Sequence, residues 1–151
     1  MKRVGFLLLG AACIAVLKAP MQAAYGGSNR LTVQVQGLKA SQGRMCYSLF
    51  SSSQGFPNHA ESAIRATCLP VNTNNSAIAF GNLNPGTYAV AVFHDRNGDG
   101  QLNKNQFGIP TEGFGFSQNP VIVSGPPSFR DAAFLVAGPR NAIQIQLKHL
   151  L

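Results

Sequence analysis

An all-β fold is what this sequence predicts: a single antiparallel β-sandwich of seven to eight strands with one short helix. Three observations carry that expectation. Short segments alternate apolar and polar residues with the period of a half-buried strand. Turn residues separate those segments at close intervals, Pro85-Gly86 among them. One segment, residues 87–93, is apolar on both faces, as a central strand covered on both sides must be.

The elements follow in order. Leu31, Val33 and Val35 alternate with Thr32, Gln34 and Gln36, and Gly37 ends this first strand. In Arg44–Phe50, Met45, Tyr47 and Leu49 share one face. A polar connection covers residues 51–55. Residues 58–66 read as a short helix, with Asn58 as N-cap and Ala60, Ala63 and Ile64 as a thin apolar stripe. Strands are expected at residues 67–71 and 77–80, with a turn at residues 72–75. After Pro85-Gly86, Tyr88, Val90 and Val92 point one way, and Ala89, Ala91 and Phe93 point the other. Tyr88, at a strand start just past a turn, is placed like a tyrosine corner, whose hydroxyl bonds to upstream backbone. Residues 121–123 and 132–136 read as further strands. Ile143, Ile145 and Leu147 alternate with Gln144, Gln146 and Lys148 in the last one.

The N-terminus reads as an export signal. Lys2 and Arg3 precede an apolar run, residues 4–17, and Met21-Gln22-Ala23-Ala24 offers small residues for cleavage. The expected organisation is a signal peptide, residues 1–24, and one domain, residues 25–151. The run is short for a bilayer, so no transmembrane span is expected after cleavage. Lipid attachment at Cys13 is the alternative to free release into the periplasm or beyond. The mature chain, about 127 residues, is long enough for one core.

Formal charge is +7 for the whole chain. Lys2, Arg3 and Lys18 leave with the signal, so nine of the 12 basic residues face the five acids. These basic residues are scattered and form no run with interleaved aromatics, which argues against nucleic acid as a partner. Cys46 and Cys68 remain after cleavage, and an even pair in an exported chain points to a disulfide.

The chemistry concentrates in Asp95-Arg96-Asn97-Gly98-Asp99-Gly100-Gln101-Leu102. Asp95, Asn97 and Asp99 alternate, and Gly100 supplies a sharp turn: the first half of an EF-hand calcium loop. A hard cation needs several oxygens from a tightly curled segment, which this spacing provides. The expected Ca²⁺ ligands are Asp95, Asn97, Asp99, the Gln101 carbonyl, Gln106 at the twelfth position and Glu112 folding back. Leu102 would anchor the loop to the core. With so few acids, weak affinity is expected. The competing reading is a metal-free turn in which Asp95 caps backbone amides.

Tyr88-Ala-Val-Ala-Val-Phe-His-Asp95-Arg-Asn-Gly-Asp-Gly100, followed by Phe107-Gly-Ile-Pro-Thr-Glu-Gly-Phe-Gly-Phe-Ser117, resembles an exported bacterial family, domain-of-unknown-function family 2141. The resemblance implies an exported Ig-like or prealbumin-like sandwich with no established activity and no catalytic residues to carry over. The chain departs from the family pattern at Asn103, where an acid is expected, and this lowers the loop's charge.

The leading expectation is a non-catalytic, monomeric envelope or secreted module, with an envelope protein or carbohydrate as partner. One alternative is an envelope hydrolase using His94 with Asp95 or Glu112. The other is a carbohydrate- or peptide-binding module that displays Phe107, Phe114 and Phe116 from its Gly-rich loop. If those rings instead fold inward, they plug one end of the sandwich.

Overall fold

The computed structural model describes residues 29–71 and 76–151. The expected signal peptide, Cys13 and the turn at residues 72–75 lie outside the described residues. The strands are β1 (Asn29–Gln36), β2 (Arg44–Phe50), β3 (Arg65–Pro70), β4 (Ser76–Leu83), β5 (Gly86–Asp95), β6 (Phe114–Phe116), β7 (Phe134–Val136) and β8 (Arg140–Gln146). They form two sheets, β4-β1-β8 and β3-β2-β5-β6. On one edge β5 pairs with β2; on the other it pairs with β7 near its start and with β6 further along.

The alternation read in the sequence decides what lies between the sheets. Leu31, Val33 and Val35 of β1 meet Met45, Tyr47 and Leu49 of β2 and Tyr88, Val90 and Val92 of β5 in one core. The opposite faces of β2 and β5 are covered too. Ala89, Phe114, Phe116 and Ala132 form a second apolar cluster, with Phe56, Phe93, Leu102 and Phe129 packed on it. Phe56 sits edge-on to Phe50 at 5.2 Å and to Phe129 at 5.8 Å between ring centroids. The covering elements are the β2–β3, β5–β6 and β6–β7 connections, which supply Phe56, Leu102 and Phe129.

Two local features hold as expected. Cys46 and Cys68 are direct cross-strand partners in the β2–β3 ladder and form a disulfide. The Tyr88 hydroxyl donates to the Asn84 carbonyl at 2.8 Å and closes the corner.

Four features differ. Not every pair is antiparallel: β1 and β8 run parallel, from Arg30↔Arg140 to Gln36↔Gln146. Alternation fixes which face is buried, but strand direction leaves no local pattern, and β8 enters its sheet from β7 in the other one. The helix expected at residues 58–66 is a single 3₁₀ turn, Ala60–Ser62, without a buried residue. An isolated turn this short needs tertiary packing to extend. Instead, the Ile64 N–H bonds the Leu49 carbonyl and the chain enters β3. Residues 121–123 are not a strand, and Val121 and Val123 are 83% and 88% exposed. Residues 132–136 split into the end of a short helix, α1 (Phe129–Ala132), and β7.

Candidate functional site

β5 ends at Asp95, and the loop that follows folds around that residue. Asp95 is fully buried. Its Oδ1 accepts the Gly98 and Asp99 N–H groups at 2.8 and 3.1 Å, and its Oδ2 accepts the Gly100 N–H at 2.9 Å. Three donors converge because the chain curls at Gly100, whose φ of 78° suits a residue without a side chain. Burying a carboxylate is costly unless its charge is met by hydrogen bonds, and here backbone amides meet it.

Glu112 is the second buried carboxylate. Its Oε1 accepts the Arg96 N–H at 2.8 Å and its Oε2 the Asn103 N–H at 3.0 Å. It therefore ties the two ends of the loop together from beyond it. Asp99 lies outside, exposed. The Asn103 amide, then the Gln101 backbone N–H and the Asn97 amide, hold its carboxyl below the ordinary value. The Asn103 and Asn97 amides reach Asp99 Oδ2 at 2.9 and 2.8 Å.

The structure thus brings Asp95, Asn97, Asp99, Gln101 and Glu112 into one hydrogen-bonded loop, while Gln106 stands apart and exposed. Gln101 contributes its N–H to Asp99 Oδ1 at 2.8 Å. Leu102 packs on the second apolar cluster, as an anchor should. Among the described residues, no three His, Cys, Asp or Glu side chains gather into a group that could hold a metal ion. Beside the network lies a polar hollow of about 410 Å³, lined by Gln42, Arg96, Asn97, Asn103, Thr111 and Glu112. Among the described residues, no donor reaches Asn103 Oδ1, a buried acceptor.

His94 is buried, and its Nε2 bonds the Gln42 carbonyl at 2.7 Å. Neither Asp95 nor Glu112 shares a hydrogen bond with it. Adjacent strand residues face opposite ways, so the neighbour pair in sequence is not a pair in space.

The aromatic loop divides. Phe114 and Phe116 are buried in β6, whereas Phe107 is 76% exposed. Gly115 between them leaves room for Ile145, whose Cγ2 would stand 2.6 Å from an added Cβ. Two residues with roles escaped the sequence reading. Ser117 is buried, accepts the Val90 N–H at 2.9 Å and donates to the Ala132 carbonyl, which locks β6 to β5 and α1. Asn103, read only as a missing acid, is the hub between Asp99 and Glu112.

No curated protein and no solved structure matches the chain. A family model does: residues 33–144 match it, from β1 into β8, with the whole Asp95–Glu112 network inside. The chain belongs to the family described as "Uncharacterized protein conserved in bacteria (DUF2141)".

Proposed function

We propose that this protein is an exported, non-catalytic binding module of the bacterial envelope. In this reading the Asp95–Glu112 loop is a rigid wall and not a reactive centre. The observation that carries it is how the chemically capable groups are employed. Asp95 and Glu112 spend their oxygens on five backbone N–H groups of their own loop, and His94 is held by a carbonyl. A hydrolase using His94 with Asp95 or Glu112 needs those groups to converge on an open pocket. Of the three, Glu112 lines the polar hollow beside the loop, and neither His94 nor Asp95 is among that hollow's lining residues. The test is twofold. Fractionation of cells making the full chain should place the processed protein in the envelope or medium. The purified protein should show no turnover of chromogenic esters, glycosides or phosphates beyond that of a His94→Ala variant. Turnover lost with His94 would refute the reading.

A second reading is favoured by one specific observation, the donorless Asn103 Oδ1. It is the kind of oxygen a hard cation takes, and Asn97 and Glu112 line the same hollow. Asn97, Asn103 and Glu112 would hold Ca²⁺ there, with Asp95 as the organiser of the loop and not a ligand. Thermal unfolding in EDTA, then in millimolar Ca²⁺ or Mg²⁺, tests it. A ligand at about 100 times its Kd adds about 2.7 kcal/mol, several degrees for a domain of this size. A Ca²⁺-selective rise abolished by Asn103→Ala supports the cation. Equal melting in all three solutions refutes it.

A further inference from the structure

The outer face of the β3-β2-β5-β6 sheet carries a cleft over the second apolar cluster, whose Leu102, Phe114 and Phe116 line it. Two openings, of about 210 and 420 Å³, share Asn58, Leu102, Lys104, Phe114 and Phe116 and so form one continuous hollow. Its floor is β5 and β6: Ala91, Phe114 and Phe116. Its wall is the loop that Asp95 and Glu112 hold in shape, through Leu102. The volume lies in the range of small-molecule sites.

Three features select the occupant. First, the smaller opening is lined mainly by apolar side chains, with Ile109 and Leu150 37% and 49% exposed, while the wider one adds the polar Ser48, Glu61 and Gln101 around Ala91, Val92 and Phe93. Second, Lys104 touches both openings, and among the described residues it has no ion-pair partner. Third, the one carboxylate at the wider opening, Glu61, is bonded to His59 Nδ1 at 2.8 Å. A cation without a partner at the rim of an apolar slot complements an anionic head on an apolar tail.

We propose that this cleft binds a single-chain acyl carboxylate, its tail along Leu102, Phe114 and Phe116 and its head on Lys104. This rests on the binding-module reading and names the ligand class for it.

The test is uptake of dodecanoate by the mature protein, below its micelle concentration, measured by displacement of a fluorescent polyene fatty acid. Methyl dodecanoate serves as the uncharged control. The acid should bind more tightly than the ester. Affinity should rise about fourfold per added methylene until the cleft is full. Lys104→Ala, an exposed substitution that leaves the fold alone, should weaken the acid about fivefold and leave the ester unchanged. Ala91→Leu, which adds bulk to the cleft floor, should block both ligands in a protein that circular dichroism shows to be folded at the assay temperature. The proposal is overturned by failure to take up either ligand, or by equal binding of acid and ester in both parent and Lys104→Ala. Association only with two-chain anionic vesicles, or self-association through this face in light scattering, overturns it as well. Uptake accompanied by cleavage of the ester would support the cleft and sink the non-catalytic reading alone.

Discussion

Asp95→Ala is the perturbation that asks most of the loop. The carboxylate is fully buried and receives three backbone N–H groups at 2.8–3.1 Å. A hydrogen bond to a charged group contributes about 1.5–3 kcal/mol. The three donors belong to Gly98, Asp99 and Gly100, all exposed, so water can take over part of each bond. Discounting each to about 1 kcal/mol gives a loss of about 3 kcal/mol for the substitution. For a domain of this length that lowers Tm by about 10 °C. Asp95→Asn keeps the shape but leaves one acceptor oxygen and turns a donor toward other donors, so it should cost about 2 kcal/mol or more. Asp99→Ala, at an exposed position on the same loop, should cost much less. The assay is thermal denaturation followed by circular dichroism, with urea unfolding to confirm that the transition stays two-state. A Tm for Asp95→Ala within about 2 °C of the parent would refute the claim that buried carboxylates build this loop.

Three further outcomes are expected. Replacing both Cys46 and Cys68 by Ala opens a loop with a sequence separation of 22 residues and should cost about 3 kcal/mol. Reduction of the parent should reproduce most of that loss in the same melt. Tyr88→Phe removes the hydroxyl bond to the Asn84 carbonyl and should cost about 1 kcal/mol in urea unfolding. Burial pushes the Tyr47 hydroxyl from 10.0 up to about 12. Its contribution is therefore whole below pH 10 and is lost as pH rises toward about 12. Stability should fall there by about 1.4 kcal/mol per pH unit, and Tyr47→Phe should flatten that slope.

The parts of the fold legible in the sequence are those fixed by local alternation. β1 and β8 bury the face their pattern announces, because a one-residue slip would put Leu31 or Ile145 in water, and β5 is covered on both faces as its two apolar sides announce. Tyr88 and Cys46–Cys68 were legible for the same local reason: a turn places one, and a compartment and an even count suggest the other. Partner direction was not legible, since Ile143 and Ile145 look alike in a parallel or an antiparallel ladder. β6 was hidden because Phe114-Gly115-Phe116 lies in a Gly-rich stretch whose strand state depends on Ala91 and Phe93 across the ladder. Val121 and Val123 misled in the opposite direction: β-branched residues mark a strand only when a neighbour pairs with them. At the site, Asp95 and Gly100 announced a curled, oxygen-rich loop. Its hydrogen-bond bookkeeping did not show, because Glu112 reaches Arg96 and Asn103 across the loop, and such contacts leave no spacing signal. Lys104 carries no motif at all; its significance comes only from the apolar walls beside it.

The most direct test of the central claim, that this is a binding module with an inert carboxylate loop, is a ¹⁵N–¹H spectrum of the mature protein titrated with dodecanoate. The account predicts saturable shifts at Leu102, Lys104, Phe114 and Phe116, an unmoved β4-β1-β8 sheet and a ligand recovered unchanged. Shifts centred on His94, Asp95 and Glu112 together with a chemically altered ligand would contradict it, as would a spectrum that dodecanoate leaves untouched.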